Sequence, residues 1–229
     1  MKSLYMKHNM EVHSTYIIRM SNNETSMRLS QRCADSCNNV GQPFYFWEAY
    51  DGISNPIVVP STHSDIMRML KVTDHYMTRG EVATALSHIN LWSRCAVLDQ
   101  PIVILEHDAI MLKAYKNHGV YNSICYLGGA EQVKGGWNVN SIPPHASEGV
   151  NYHFICRAHA YAIDPPVARS LLSHVIRLGI HAPLDIMIRA DIFPIHQMGL
   201  YAYDEDDETT ILGRPKEGRT TVKNEKLEY

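Results

Sequence analysis

Pro101-Ile-Val-Ile-Leu-Glu-His-Asp108 is an almost wholly apolar run that ends in two carboxylates one position apart. An uninterrupted apolar run closed by acids is how a strand buried on both faces arrives at a ligand site. In an extended backbone Glu106 and Asp108 point to one face and His107 to the other. Two carboxylates on one face repel, and the ordinary remedy is a hard divalent cation held by oxygen ligands. A cation held by only two carboxylates keeps open positions for phosphate oxygens. The stretch therefore points to a metal-assisted site for a phosphorylated ligand, its bland rival being a solvated strand end.

The flanks give that strand its neighbours. Before it, Val82, Ala85, Leu86, Ile89, Trp92 and Ala96 follow helical spacing, with Thr78 or Arg79-Gly80 ahead of the first turn and Glu81 near its positive end. Glu81 and His88 fall nearly in line on the face away from that stripe. The helix runs through Asp99-Gln100 into the apolar strand, a right-handed strand-helix-strand unit. Earlier still, Thr15-Tyr-Ile-Ile18 reads as a first strand. A weak helical stripe over 25–39 (Met27, Leu29, Cys33, Ala34, Cys37) follows and stops before Gly41, and Phe44-Tyr-Phe-Trp-Glu-Ala-Tyr50 is a strand broken by Asp51-Gly52. Residues 53–77 carry only a brief helical pattern around Ile66 and Leu70.

Downstream, residues 123–129 read as a strand, and the polar stretch 130–150 is too long for a passive connection, so it is either a substrate loop or disorder. A β-prone run over 152–163 leads to Asp164-Pro165-Pro166, which opens a helix that Gly179 stops. A short helix within 181–188 holds Asp185 in its first turn, and 192–199 is strand-like. From Asp204 five acids follow in a row, which reads as the start of a solvated tail. These elements predict an α/β fold with a central, mainly parallel sheet flanked by helices, one domain over 1–205 and a polar charged tail over 206–229.

Composition narrows the function classes. With 229 residues, 45% hydrophobic and 20% charged, the chain buries an ordinary core, and a net charge of -3 gives no general pull toward nucleic acid. Its five cysteines, Cys33, Cys37, Cys95, Cys125 and Cys156, lack the paired spacing of a zinc module and read as reduced, mostly buried thiols. No run approaches a membrane span, so the expected place of action is cytoplasmic, without integral membrane association. Thirteen histidines raise the possibility of a metallohydrolase, but they include no convincing pair at ligand spacing with a nearby acid.

An ordered series of segments carries a more specific signal. Ala49-Tyr-Asp-Gly52, Arg79-Gly-Glu-Val-Ala-Thr-Ala-Leu-Ser-His-Ile-Asn-Leu-Trp92, the acidic strand end, Ala158-His-Ala-Tyr-Ala-Ile-Asp164 and Pro183-Leu-Asp185 together resemble glycosyltransferase family 25, from about residue 16 to about residue 197. The resemblance implies a GT-A-like nucleotide-diphospho-sugar transferase fold, Mn2+ or Mg2+, and inverting transfer of a hexose from a UDP-sugar to an acceptor hydroxyl. Where the family has Glu-Asp-Asp this chain has Glu106-His107-Asp108, with His107 expected to face away from the metal, free to reach a ribose or base.

On that resemblance Asp108 is the principal metal ligand, Glu106 contacts metal or ribose, and His196 is a candidate third ligand. Asp51 is expected to accept from a uracil N–H, and Glu81, Ser87 and His88 to line the donor pocket. Asp185 is the candidate general base, and His159 and Tyr161 shape the acceptor or sugar pocket. Each has a structural rival: Asp51 as a turn residue, Glu81 and Asp185 as helix caps, His88 as a surface histidine, His159 and Tyr161 as packing. Two alternatives stand beside this reading. One is transfer onto a modified nucleobase in DNA, which a salt-dependent gel shift separates, and the other a nucleotide-sugar-binding protein without transfer.

Overall fold

Residue by residue, the chain converts its apolar runs into strands and its capped stripes into helices. The computed structural model describes residues 10–52, 57, 59, 65–73, 77–119, 122–128 and 158–204. In chain order these form β1 (Met10–Glu11), β2 (Ser14–Arg19), α1 (Glu24–Val40), β3 (Phe44–Glu48), α2 (Asp65–Met69) and α3 (Arg79–Leu98). Then come β4 (Ile102–Leu105), β5 (Ala109–Met111), β6 (Asn117–His118), β7 (Ile124–Tyr126), β8 (Ala160–Ile163), α4 (Pro165–Leu178), α5 (Leu184–Met187), β9 (Ile195–Gln197) and β10 (Ala202–Asp204).

A six-stranded sheet in the order β3-β2-β4-β8-β7-β9 is the centre of the molecule. β3, β2 and β4 are mutually parallel, β8 runs against both of its neighbours, and β9 is parallel to β7. The sheet is thus mainly parallel, the α/β architecture that the sequence predicts. Small antiparallel pairs, β1 with β6 and β5 with β10, flank it.

Alternation divides the core between the two faces. Ile102 and Ile104 of β4, with Tyr16 and Ile18 of β2, meet α3 and α4 through Leu86, Ile89, Trp92 and Leu171. Val103 and Leu105, with Ile17, meet α1 through Cys33, Ala34 and Cys37. All four residues of β4 are completely buried, which is why its sequence is uniformly apolar instead of alternating. Truncating one of them, such as Ile104→Ala, would cost about 2–5 kcal/mol.

The helix ends follow their sequence signals. Asn23 caps α1 by accepting from Ser26 N, and Gly41 closes it at φ +69°. Thr78 and Glu81 form a reciprocal capping box at the start of α3. Asp164 caps α4 through Val167 N and also accepts from Ser123 N at 3.1 Å, tying the start of β7 to the end of β8.

Several expectations need correction. The strand ending at Tyr50 stops at Glu48, because Tyr50 N donates to the Ser87 hydroxyl and not to a neighbouring strand. Asp204 is not part of a solvated tail: β10 pairs with β5 and sets Asp204 opposite Ala109. His88 is fully buried instead of lying on an outer face, since the sheet, α4 and α5 enclose α3 beyond its apolar stripe. The stretch 130–150, Cys156 and the tail 206–229 lie outside the described residues.

Candidate active site

The backbone stops being a strand where the acids begin. Glu106 N makes a last ladder bond to His159 O at 2.9 Å, and Ala109 N then closes a turn onto Glu106 O at 3.1 Å. Alternation therefore carries through Glu106 and His107 but not to Asp108, correcting the expectation that both acids share one extended face. Glu106 turns toward α3, where its Oε1 lies 3.2 Å from His88 Nε2. His107 turns toward α1, its Nδ1 2.8 Å from Ser26 Oγ. Asp108 is 6% exposed, and its Oδ1 has no hydrogen-bond partner among the described residues.

These environments separate the two acids. Burial raises the Glu106 carboxyl, but the hydrogen bond from His88 and the electrostatic pull of His88, His107 and His159 outweigh it and leave Glu106 below its ordinary value. Burial pushes Asp108 up to about 7, and the charges of Glu106 and Asp204 add to the rise. Burial lowers His107, with Glu106 opposing and Arg32 assisting, so its imidazole favours the neutral form. One ionised carboxylate thus stands beside a second that the surroundings hold half protonated near neutral pH.

Asp185 belongs to the same electrostatic neighbourhood. Burial raises its carboxyl to about 6, and the charges of Glu106 and Glu81 both add to the rise. Asp51 follows β3 at the edge of the sheet where β2 and β4 also end, and takes Asn22 Nδ2 at 3.4 Å. Gly52 beside it sits so close to α3 that a Cβ would meet Arg79 O and Gly80 Cα at 2.9 Å. Asp51, Glu81, Glu106, Asp108 and Asp185 are therefore gathered around the carboxyl ends of the parallel strands, where open α/β sheets bind ligands.

Residues 12–124 match the family model described as Glycosyltransferase family 25 (LPS biosynthesis protein). The chain is a glycosyltransferase, similar over that stretch to family 25. The match takes in Asp51, Glu81, His88 and the acidic turn of this glycosyltransferase and ends before Asp185. No curated protein matches the chain. Among solved structures, the galactosyltransferase LgtC, crystallised with donor and acceptor sugar analogs, is similar at a TM-score of 0.43 and 9% identity, covering 80% of this chain and 72% of that one.

Other expected site residues of the glycosyltransferase have structural employment. Ser87 is 1% exposed, donates to Ala83 O at 2.8 Å and accepts from Tyr50 N at 2.9 Å, so it braces the end of β3 and does not line a pocket. Glu81 accepts from Thr78 N at 2.7 Å as the cap of α3. Tyr161 and His159 are 0% and 2% exposed and lie under the site. His196 is not brought to the acids: its register with Cys125, and through Ala162 with Val103, sets it three strands from β4, roughly 14 Å across the sheet.

Two residues of this glycosyltransferase escaped the sequence reading. Asp204 acts on Asp108 and lies 3.9 Å from His159 Nδ1, yet its place at the head of an acid run masked the β-prone Tyr201-Ala-Tyr203 before it. Ser26, which holds His107, carried no signal beyond a helix start. Among the described residues no three His, Cys, Asp or Glu side chains form a ready-made metal cage. The donor set nonetheless fits a hard cation, for Asp108 Oδ1 is buried without a hydrogen-bond partner among the described residues and Glu106 is ionised beside it.

Proposed function

We propose that this glycosyltransferase moves a hexose from a UDP-sugar to the hydroxyl of a glycan acceptor, with inversion, using Mn2+ or Mg2+ held by Glu106 and Asp108. The observation that carries the reading is the buried Asp108 Oδ1, which has no hydrogen-bond partner among the described residues while burial, and then the charges of Glu106 and Asp204, raise its carboxyl. A buried acceptor of that kind is costly unless something positive meets it. A divalent cation bound there supplies positive charge against the departing diphosphate.

The remaining chemistry falls to the chain's own side chains. Asp185 takes the proton of the acceptor hydroxyl as its oxygen bonds to the anomeric carbon and the bond from that carbon to the phosphate oxygen breaks. A carboxyl raised to about 6 is ionised at neutral pH yet basic enough to accept that proton. Asp51, at the outer end of β3, accepts from the uracil N–H. A DNA acceptor draws no support from the family match.

No described helix is long and apolar enough to cross a membrane. We place the reaction in the cytoplasm because Cys33, Cys37, Cys95 and Cys125 are all buried, unpaired thiols. Thermal shift with UDP, with and without Mn2+, tests the assignment through linkage. UDP is expected to raise the melting temperature only when metal is present, and Asp108→Asn to abolish that rise. Equal stabilisation without metal, or an unchanged response in the variant, overturns it.

A further inference from the structure

We propose that Trp92, Tyr161 and His88 form a one-way hydrogen-bond chain that positions the Glu106 carboxylate, so that His88 is a positioning residue and not a ligand of the donor. Trp92 Nε1 lies 2.9 Å from the Tyr161 hydroxyl, that hydroxyl lies 2.8 Å from His88 Nδ1, and His88 Nε2 lies 3.2 Å from Glu106 Oε1. Trp92, Tyr161 and His88 are all 0% exposed, whereas 29% of the Glu106 side chain is open. The chain therefore begins in the core and ends at the site.

Its direction follows from what each group is able to do. An indole N–H only donates, so the Tyr161 oxygen accepts from Trp92. Burial holds the Tyr161 hydroxyl far above its ordinary value, so it keeps its proton. His88 Nδ1 is that hydroxyl's other partner among the described residues, so it receives the O–H hydrogen and must itself be unprotonated. The imidazole proton then sits on Nε2 and donates to Glu106 Oε1. A proton on Nδ1 instead would leave the Tyr161 hydrogen without an acceptor in a fully buried position, an arrangement that buried polar groups avoid. Near-parallel stacking of the two rings, 5.7 Å apart at 13°, fixes the imidazole plane.

The consequence reaches the site through one atom. His88 is the side-chain partner of Glu106 among the described residues, and it occupies Oε1, leaving Oε2 for whatever binds in front of it. Outer partners of this kind change affinity or activity by about 10–100-fold when removed. The inference rests on the reading that Glu106 lies in the donor site, but the chain itself is testable without that reading.

Long-range 1H–15N correlation on the full chain labelled at histidine nitrogens reads the tautomer directly. Wild-type His88 is expected to show a protonated Nε2 and a bare Nδ1, and Tyr161→Phe to shift Nδ1 and mix the tautomers. An Nδ1–H tautomer in the wild type, or an unchanged His88 pattern in a folded Tyr161→Phe, overturns the chain. In activity, His88→Ala is expected to lose about 10–100-fold in kcat/KM and His88→Gln, which returns a donor toward Glu106, to recover part of it. No recovery with Gln overturns the positioning role. Full activity of Glu106→Gln beside an intact His88 pattern would refute the site reading and leave the chain standing.

Discussion

His107 Nδ1 and Ser26 Oγ lie 2.8 Å apart, so the acidic turn after β4 is fastened to the first turn of α1. Ser26 also accepts from Met20 N at 2.9 Å, which makes one hydroxyl the joint between the end of β2, α1 and the site. Ser26→Ala should destabilise the protein by about 1–2 kcal/mol, since both partners lose a buried bond. It should also weaken donor binding by loosening the turn that carries Asp108. Paired with His107→Ala in a double-mutant cycle, the two losses should be non-additive. Strictly additive losses in nucleotide affinity would show that the joint does not govern the turn.

Glu81 is tied to Thr78 by a capping box, with Thr78 N donating to Oε2 at 2.7 Å and Glu81 N donating to Thr78 Oγ1 at 3.2 Å. If capping is its whole task, Glu81→Ala and Thr78→Ala should each cost about 1 kcal/mol in urea unfolding and lower activity equally. Its charge also raises Asp185, so Glu81→Gln should lower the apparent pKa of transfer while keeping the cap. A Gln variant with an unaltered pH profile would reduce Glu81 to a cap.

The parts of the fold set by local chemistry were readable in advance, and the parts set by contact were not. β4 was legible because burial on both faces leaves no polar position in its sequence, and α3 and α4 because Thr78, Glu81 and Asp164-Pro165 are explicit start signals. The geometry of the acids was not, because whether the strand continues past Leu105 is decided by the turn from Ala109 N to Glu106 O. His88 looked external because its burial comes from the sheet and α5, which no helical periodicity reports. Asp204 was lost because its pairing with Ala109 joins segments far apart in sequence.

Asp185 makes opposite predictions for activity and stability. A base works as its carboxylate, so kcat/KM should fall about tenfold per pH unit below about 6 and level off above it. For folding, the native value is raised from 3.8 to about 6, so the native state binds more protons than the unfolded chain between those limits. The stability lent by protonated Asp185 is complete below 3.8 and is lost as pH rises through about 6. Asp185→Asn should therefore lose about 10²–10⁴-fold in kcat. It should also melt about 3 °C higher than wild type at pH 7.5, the gap closing toward pH 4. A variant that is inactive but no more stable at pH 7.5 would place the loss in folding or binding instead of proton transfer.

Gly128 offers a test from beneath the site. A Cβ there would lie 2.4 Å from His159 Cε1, 2.5 Å from His159 Nε2 and 2.7 Å from the Tyr126 hydroxyl, so Gly128→Ala cannot be accommodated without moving the imidazole. His159 is 2% exposed, lies edge-on to Tyr126 and stands 3.9 Å from Asp204, while its backbone oxygen holds Glu106 N. Overpacking of this kind costs about 1–3 kcal/mol. The displaced ring should carry the strain into both acids, because its charge lowers Glu106 and its partner Asp204 raises Asp108. Gly128→Ala should thus weaken Mn2+-dependent UDP binding by about tenfold, beyond any change in melting temperature. Relieving the clash with His159→Ala in the same chain should recover stability without recovering binding, since the cavity accepts the methyl group but the imidazole beside Asp204 is gone. If the double variant regains binding as well, His159 only fills space and its charge does not tune the acids.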